Sequence, residues 1–515
     1  MSINNNSDYE EIKSLRVRYS TIINYLYIIY RVLTASLFAV IVLRKLPVED
    51  YGLFNVILAL IALFQPIPQI WNMWVSRFYA RKRYDIAYTG YGITLLYSVF
   101  SSLLLIVLML IVLPPNKLTP ETLFFSSLIV LSQVIYSTHV AILTNKKPYI
   151  VGYIDILGET LRVLLVYFFV VVLRMGLEGV LLGIAMAFLI KTFVSFIYML
   201  HVRALSKPSL SFKNVALFLK NSYIPLINIV SSQLRNSGER LITSLVTNSM
   251  IYPAYLGVSY IPRSFIRGGA QAFSRGLGPR LLRGGSRTDI EDVMKIISIL
   301  SLLFSGSFII YAKVVLSMFR REYLDVYPLF ILYSIAFILD VYILFFSTVS
   351  TSLERADLRY SGLGLRRTVL FKVPFIRFLA NITYLSIASA GFIVLYYAGI
   401  RDPISLLALY PALLILVNIP VLYKLYIIAK KQIDFSIPWR EIAASLCGLF
   451  IIYLYSLLTG YINYMVKSIY SDLPMVTWIA ISSLVIYIIV LYVLSSWFRE
   501  LVRTSLEELK RIIHF

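Results

Sequence analysis

Apolar segments of about twenty residues recur along the whole chain, with short polar turns between them. A segment of that length and composition is what an α-helix needs to cross the hydrocarbon core of a bilayer. A transmembrane strand would instead alternate apolar and polar residues over about ten positions, a pattern that does not occur here. The sequence therefore predicts an all-α, polytopic membrane protein with about fourteen spans, at residues 21–43, 51–73, 89–113, 122–143, 151–173, 179–200, 222–245, 254–274, 296–317, 327–353, 375–398, 403–423, 441–459 and 477–498.

The composition agrees with this prediction. Of the 515 residues, 59% are hydrophobic and only 14% are charged, whereas soluble domains carry about 25% charged residues. The polar first twenty residues show no cleavable signal pattern. The single cysteine, Cys447, excludes disulfides, and the three histidines are scattered along the chain. We therefore expect no metal site and no cofactor.

The formal charge of +22 is distributed unevenly between the two sides of the membrane. If the N-terminus is cytoplasmic, most Lys and Arg residues fall in the cytoplasmic loops, as the positive-inside rule requires. The charge thus indicates topology, with both termini in the cytoplasm, and not nucleic-acid binding. Span 254–274 is weakly hydrophobic and contains Pro262, Arg263 and Arg267. Without it every later basic loop would lie outside, so the charge rule favours a crossing.

Span 222–245 is long enough to cross the membrane, yet its middle contains Arg235, Glu239 and Arg240. Each such charge at a helix centre costs about 2.5–3.5 kcal/mol on insertion scales, so this face cannot point to lipid. Arg235 and Glu239 are four residues apart and share a helix face, which we expect to line a cavity. Arg240 lies about 100° further round and is expected to contact another helix.

Other spans also contain ionisable residues. Arg31 lies near the middle of the first span, and Asp340 lies inside the tenth. Asp155, Glu159 and Arg162 lie on one face of the fifth span, with Glu159 able to pair with Arg162. This face is either an ion pair that fixes helix packing or a site for a coupling ion or proton.

Several further features have structural interpretations. His139 is expected to be a hydrogen-bonded interior group, and Lys191 is expected either to act in the interior or to extend to the inner interface. The sequence pattern predicts no buried acids or bases in the last two spans, so we expect them to be peripheral. The tail after residue 495 has an apolar side and a charged side, as amphipathic helices on membrane surfaces have.

The number of spans also predicts the domain organisation. Six spans precede the basic segment 201–220 and six follow it, so both halves run through the membrane in the same direction. Such halves are parallel repeats, related by a pseudo-twofold axis along the membrane normal. We predict an N-terminal lobe (1–205), a C-terminal lobe (206–431) and a final part (432–515) with two extra helices and the amphipathic tail.

Three segments, in this order and spacing, resemble a known transporter family. They are LRKLPVEDYGLFNVILALIALFQ with the following RFYARKR, PLINIVSSQLRNSGERLITSLV with the following YLGVSYIPRSF, and VVLSMFRREYLDVYPLFILYSIAFILD. Together they resemble the polysaccharide-export and flippase branch of the MATE-like (MOP) transporter superfamily, over spans one to twelve. The resemblance implies two six-helix lobes that form a V and open alternately to either side. It also implies translocation of lipid-linked oligosaccharides, or of the peptidoglycan precursor lipid II.

The resemblance extends to particular arginines. In lipid II flippases, which have fourteen helices, arginines of the first, second and eighth spans face the central cavity. Arg31 matches the first of these positions, and Arg263 or Arg267 matches the eighth. The second span has no arginine at its middle, which is a departure from that pattern.

The charge balance of the spans bears on the substrate. Guanidinium groups bind diphosphates in a bidentate manner, so the candidate headgroup ligands are Arg31, Arg235, Arg263 and Arg267. The acids within the spans, which are candidates for ion pairs or energy coupling, are fewer than the bases: Asp155, Glu159, Glu239 and Asp340. A surplus of bases favours an anionic substrate, whereas a drug or cation antiporter would be expected to have a cavity rich in carboxylates.

We therefore predict a flippase that moves a polyprenyl- or dolichyl-(pyro)phosphate-linked oligosaccharide across the cytoplasmic membrane by alternating access. The alternatives are a MATE-type antiporter and a lipid II flippase. The short external loops argue against an enzyme, and no Walker motif is present. The expected partners are the lipid-linked substrate and membrane lipids, with no nucleic acid. We expect a monomer, with glycan-assembly enzymes as candidate associates.

Overall fold

The computed structural model describes most of the chain. The described ranges are 33–80, 84–202, 222–268, 286–354 and 362–513, together with residues 27, 30, 31, 204, 214–216, 218, 277 and 281. Across these ranges the regular elements are helices, and no strand occurs among them. The predicted all-α, polytopic fold is confirmed.

The first half of the chain is a series of long helices. They are α1 (33–45), α2 (Val48–Phe64), α3 (Gln69–Ala80), α4 (Tyr84–Val112), α5 (Pro120–Lys146), α6 (Pro148–Tyr167), α7 (Gly176–His201), α8 (Tyr223–Thr247) and α9 (Ile251–Ser259). Local signals set several boundaries. The Thr119 hydroxyl accepts a hydrogen bond from the Thr122 N–H (3.1 Å), and Pro120 occupies the first turn of α5.

The second half continues in the same way. Its helices are α10 (261–268), α11 (Arg287–Ile310), α12 (Ala312–Ser317), α13 (Tyr327–Leu353), α14 (Val369–Tyr397), α15 (Pro403–Gln432), α16 (Trp439–Leu458), α17 (Ile469–Leu494) and α18 (Ser496–Ile513). Ser286 and Asp289 form a capping box at the start of α11. After α14 the chain reverses at Gly399, whose φ of +95° favours glycine.

Some of the predicted spans are interrupted, the second and the eighth among them. The second span divides into α2 and α3 at a turn over residues 65–68. Pro66 and Pro68 have no N–H and clash with the carbonyl four residues before them, so a continuous helix cannot form here. The eighth span divides at Tyr260, between α9 and α10.

Ten helical segments of the described chain are long and apolar enough to cross a membrane. They coincide with ten of the predicted spans. The other four are 151–173, 222–245, and the two spans that lie partly outside the described residues, 21–43 and 254–274. These four spans contain most of the ionisable residues singled out above, which lower their hydropathy. Their crossing of the membrane stays a prediction.

The chain forms two compact units. The first unit comprises Met1–Ala254, Ser361–Gly364 and Pro374–Ser389. Within it α5 packs on α4 and α7, α7 packs on α6, and α2 packs on α8. A buried apolar cluster that includes Trp71, Val75 and Ile142 forms part of its core. The lobe boundaries predicted after residues 205 and 431 stay a prediction.

The second unit comprises Tyr255–Tyr360, Leu365–Val373 and Ala390–Phe515. Within it α13 packs on α15 and α11, and α16 packs on α11 and α17. The Tyr311 hydroxyl lies 2.5 Å from the Ser456 hydroxyl and 2.7 Å from the Ser483 hydroxyl, which joins both of the last two spans to the turn after α11.

One expectation about these last spans is wrong. Glu441, in the first turn of α16, is buried, with 6% of its surface exposed. The Ser495 hydroxyl lies 3.4 Å from its carboxylate. Since Glu441 stands at the very edge of the apolar segment, its burial depends on the chain turn after α17, which the sequence pattern does not reveal.

Candidate functional site

An ionic cluster lies between helices α5, α6 and α7 of the first unit. Lys191 of α7 places its ammonium 2.5 Å from Oδ1 of Asp155 in α6. The Tyr136 hydroxyl of α5 donates a hydrogen bond of 2.8 Å to the same oxygen. The Lys191 ammonium also lies 4.1 Å from the centre of the Tyr136 ring. Lys191 is therefore an interior group paired with Asp155, and the alternative that it extends to the inner interface is wrong.

A second ion pair lies one turn further along α6. The Arg162 guanidinium lies 2.6 Å from Oε2 of Glu159. The three-residue spacing in the sequence predicts this pair. The Arg162 guanidinium also lies 4.9 Å from the centre of the Phe38 ring, so it links α6 to α1. A small cavity beside the pairs, lined in part by Gly158 and Lys191, has a free volume of about 10 Å³, which is the space that one water molecule needs.

Arg31 lies next to this cluster on the first helix. Its side chain is exposed on the first unit, and it interacts electrostatically with Arg162 and with the Tyr27 hydroxyl. In the neighbouring turn, the Tyr30 hydroxyl lies 2.6 Å from the Thr160 hydroxyl of α6. The Arg31 guanidinium forms no ion pair or hydrogen bond with any other residue that the structure describes.

Among the residues that the structure describes, the charges of this region do not cancel. Lys191 with Asp155 and Arg162 with Glu159 make two neutral pairs, and Arg31 adds one positive charge that is exposed. Two internal pairs fix the packing of the helices, and a neighbouring cation is presented on the surface. Chemically, this arrangement can attract an anion.

Helix α8 has its own buried carboxylate. Glu239 is 1% exposed, and its Oε1 accepts a hydrogen bond of 2.6 Å from the Tyr384 hydroxyl of α14. The Asn381 amide, also on α14, donates a hydrogen bond of 2.8 Å to the Ser231 hydroxyl. Gly238 permits this close approach, since a Cβ atom there would lie 2.6 Å from a methyl group of Leu385. Glu239 thus contacts α14 within this unit, and the expectation that it lines a cavity stays a prediction.

The two arginines of α8 differ from Glu239 in their exposure. Arg235 and Arg240 are both half-buried. Arg240 interacts electrostatically with the Tyr51 hydroxyl of α2, which packs against α8. The prediction that Arg240 faces another helix is confirmed.

In the second unit, Arg263 lies among aromatic rings. Its guanidinium is 5.5 Å from the centre of the Tyr260 ring and 5.8 Å from that of Phe337. Tyr333 completes the group, 4.9 Å from Tyr260 and 5.6 Å from Phe337 between ring centres. Arg267, one turn along α10, is half-buried. Aromatic faces stabilise a guanidinium by cation–π attraction.

Asp340 lies inside the second unit on α13. It is 8% exposed, and the Asn418 amide of α15 lies 3.3 Å from its Oδ1. A buried carboxylate between two membrane helices is rare and is a functional candidate by default.

His139 is an interior group, as predicted. It is fully buried, its Nδ1 lies 2.6 Å from the Ser195 hydroxyl, and its Nε2 lies 3.1 Å from the Tyr91 hydroxyl. Both ring nitrogens are therefore satisfied by helices α4 and α7, which is what a structural histidine requires.

The structure thus distributes the predicted residues over both units. Arg31, Asp155, Glu159 and Arg162 come together in the first unit, and Arg235 and Glu239 lie on α8 of the same unit. Arg263, Arg267 and Asp340 belong to the second unit. The sequence did not identify Tyr136 and Tyr384 as carboxylate partners, since both come from helices distant in the chain.

Comparison with known proteins gives matches to solved structures. No family model matches the chain, and no curated protein matches it. The lipid II flippase MurJ in an inward closed conformation matches with a TM-score of 0.62 at 16% identity, over 94% of this chain and 99% of that one. An inward-facing multidrug-resistance MATE family transporter of the MOP superfamily matches with a TM-score of 0.55 at 12% identity, over 78% and 95%. The eukaryotic MATE transporter AtDTX14 matches with a TM-score of 0.53 at 14% identity, over 81% and 98%.

These matches concern the fold. At such low identity they show that the chain has the polytopic helical fold of MurJ and of MATE transporters. The helical, polytopic character of the fold that the sequence resemblance implied is therefore confirmed. The MurJ structure covers more of the chain than either MATE structure does.

Proposed function

We propose that this protein is a flippase that moves a polyprenyl- or dolichyl-(pyro)phosphate-linked oligosaccharide across the cytoplasmic membrane by alternating access. Its product would serve the assembly of cell-surface polysaccharide or glycoprotein. The observation that carries the proposal is the exposed position of Arg31 in an apolar helix. The two neighbouring ion pairs are each neutral, so the charge of Arg31 is not part of either pair. The likeness of the fold to a flippase supports it.

The chemistry of the substrate explains why an exposed arginine would be kept in the membrane. A guanidinium in hydrocarbon is strongly unfavourable unless it faces water, a counter-charge or a ligand. A diphosphate offers several oxygen acceptors to the planar guanidinium and neutralises its charge. In this proposal Arg31 and Arg235 of the first unit, and Arg263 and Arg267 of the second, contact the anionic headgroup during the transport cycle.

The carboxylates argue against a cation or drug antiporter. Asp155 is paired with Lys191, and Glu159 is paired with Arg162. Their charge is therefore already compensated, and a substrate cation would have to displace a bound lysine or arginine. Glu239 and Asp340 lie outside that cluster, so in this proposal they are the candidates for a coupling proton or sodium ion.

A lipid II flippase is the second candidate function. The structural match to MurJ spans 94% of this chain, against 78% for the first MATE structure. Lipid II is itself a saccharide joined to a polyprenyl diphosphate, so the same arginines would serve it. We infer for either substrate a monomer in the cell membrane, with both termini in the cytoplasm and glycan-assembly enzymes nearby.

Translocation in vesicles tests this proposal. The purified protein is reconstituted with a fluorescent lipid-linked oligosaccharide or with fluorescent lipid II, and the labelled lipid that reaches the other leaflet is quantified. We expect translocation by the wild-type protein and a loss of at least about tenfold in Arg31→Gln, which corresponds to about 1.4 kcal/mol. Arg503→Gln is the matched control, because that side chain is 83% exposed on the tail helix.

The outcomes separate the candidates. Faster movement of lipid II than of other lipid-linked oligosaccharides would assign the protein to the second candidate function. Absence of lipid translocation, together with proton-driven efflux of organic cations, would refute both and favour an antiporter. Full activity of Arg31→Gln would refute the role of Arg31.

A further inference from the structure

The break between α2 and α3 exposes two glutamines inside a membrane segment. Residues 48–76 form a candidate span, and the turn at 65–68 interrupts it. Pro66 and Pro68 are buried, whereas Gln65 and Gln69 on either side of them are exposed. The turn therefore directs its apolar residues inward and its two amides outward.

The other two amides of this segment behave differently. The Asn55 amide donates a hydrogen bond of 2.8 Å to the Tyr51 carbonyl, and the Asn72 side chain bonds to Ser137 and Thr138 at 3.0 and 2.7 Å. Both asparagines are buried and satisfied inside the first unit. Within the described ranges, neither Gln65 nor Gln69 has such a side-chain hydrogen bond.

Unsatisfied amides are strongly unfavourable in hydrocarbon, so this surface must face water or a polar ligand. The turn itself is held in place by a side chain. Pro68 has no N–H to donate to the Phe64 carbonyl, and the Tyr97 hydroxyl donates a hydrogen bond of 3.2 Å to that carbonyl. The backbone of the break is hydrogen-bonded within this unit, and the two exposed amides flank the turn.

The register of α1 and α2 brings these amides near the depth of Arg31. The two helices form a hairpin in which the rings of Phe38 and Phe54 are 6.3 Å apart. At about 1.5 Å per residue, Arg31 lies roughly 22 Å from the turn at Leu46 and Gln65 lies roughly 27 Å from it. A headgroup bound by Arg31 would therefore have its next chemical group close to the depth of Gln65.

The chemistry of an amide identifies that group. A glutamine side chain both donates and accepts hydrogen bonds and is uncharged, as a sugar hydroxyl or acetamido group is. Arginines suit the phosphate, and neutral amides suit the saccharide joined to it. We propose that Gln65 and Gln69 form a carbohydrate subsite that recognises the sugar nearest the diphosphate, an inference that rests on the proposed flippase function.

Binding measurements can test the subsite apart from the flippase proposal. The probes are lipid-linked oligosaccharides extracted from the cells that make this protein and a polyprenyl diphosphate without sugar, with affinities measured on the full-length protein in detergent. We expect the wild-type protein to bind the glycolipid about tenfold more tightly than the bare lipid. In Gln65→Leu/Gln69→Leu we expect that preference to fall to within about twofold, with unchanged affinity for the bare lipid. Gln432→Leu, at an exposed glutamine that ends α15, is the matched control.

Each outcome has one meaning. A double variant that keeps the tenfold preference overturns the subsite and leaves the flippase proposal intact. A double variant that loses both affinities equally, with an unchanged melting temperature, also overturns it, because the amides would then act on the diphosphate. If the double variant is unstable, the conservative variant Gln65→Asn/Gln69→Asn replaces it. Its amide side chains are shorter by one methylene, and we expect the same loss of preference for the glycolipid over the bare lipid. Wild-type protein that binds neither lipid contradicts the flippase proposal itself.

Discussion

The ammonium of Lys191 lies 2.5 Å from the carboxylate of Asp155, across the interface between α7 and α6. The two side chains are 9% and 17% exposed, and the Tyr136 hydroxyl holds the same carboxylate oxygen. Gly158 packs directly against the Lys191 side chain. A Cβ atom at this position would lie only 2.7 Å from that side chain, so the close approach depends on a glycine. The pair is therefore built into the packing of three helices.

Breaking this pair is expected to destabilise the protein strongly. Asp155→Leu or Lys191→Met alone leaves one charge buried without its partner, which costs about 3–5 kcal/mol in buried pairs. The double variant Asp155→Leu/Lys191→Met removes both charges and should lose less than either single variant. Thermal unfolding of the purified variants in detergent measures this.

An exposed pair of the same unit provides the control. Lys117 and Glu49 form an ion pair with side chains that are 28% and 60% exposed. Lys117→Met is expected to change the stability by no more than about 1 kcal/mol. If the losses from the two single variants at 155 and 191 simply add in the double variant, the pair is not coupled and the prediction is wrong.

Replacement of His139 is expected to affect stability and not the pH dependence of transport. His139→Phe leaves the Tyr91 and Ser195 hydroxyls without their ring-nitrogen partners, at a cost of about 1–3 kcal/mol. Because the ring is fully buried and bonded on both sides, transport per folded molecule should follow the same pH profile as in the wild-type protein. A variant that folds normally but shifts the pH optimum of lipid translocation would contradict this structural role.

The start of α15 gives a prediction about pH. Hydrogen bonds from the Ser405 hydroxyl and backbone N–H lower the pKa of Asp402 below its ordinary value, with the N–H 2.8 Å from the carboxylate. A carboxylate with a depressed pKa in the folded protein contributes stability above its unfolded pKa, near 3.8, and loses it as the pH falls through the folded value. Asp402→Ala should therefore cost about 1 kcal/mol between pH 5 and 8, and almost nothing below the folded pKa.

Asn is a comparable N-cap that does not titrate. Asp402→Asn should retain most of the stability and show no change in this contribution with pH. Chemical unfolding of the two variants and the wild-type protein at pH 7 and at a pH well below the unfolded pKa of 3.8 makes the comparison. An equal loss for Asp402→Ala at both ends of the range would mean that the carboxylate charge is irrelevant.

Local features of this fold could be predicted from the sequence because they depend on neighbours along the chain. The apolar segments, the Glu159–Arg162 pair three residues apart and the prolines at 66 and 68 all act within a few residues. The second span contains four amide side chains, and the sequence does not show which of them are exposed. That difference arises from the turn, which orients Gln65 and Gln69 outward and leaves Asn72 inside.

Long-range partners could not be predicted in this way. Asp155 and Lys191 belong to different helices, as do Glu239 and Tyr384. Several residues on each helix face could have met these carboxylates, and the choice depends on helix rotation to within one residue, about 100°. Lys191 inside the sixth span allowed two interpretations for the same reason, and only the packed structure selects one.

Glu239 provides the final prediction, on energy coupling. In Glu239→Gln an amide oxygen can still accept the Tyr384 hydroxyl, so the variant should be nearly as stable as the wild-type protein. If the carboxylate carries a coupling ion, this variant should still equilibrate a labelled lipid-linked oligosaccharide between leaflets. It should no longer accumulate that lipid against its gradient when a proton or sodium gradient is imposed.

Tyr384→Phe is the matched control, since it removes the same hydrogen bond and keeps the charge. It should lose about 1–2 kcal/mol of stability and retain gradient-driven accumulation. Accumulation by Glu239→Gln equal to that of the wild-type protein would leave Asp340, hydrogen-bonded to Asn418, as the remaining candidate. Loss of accumulation in Tyr384→Phe as well would assign the effect to helix packing, because the charge is unchanged in that variant.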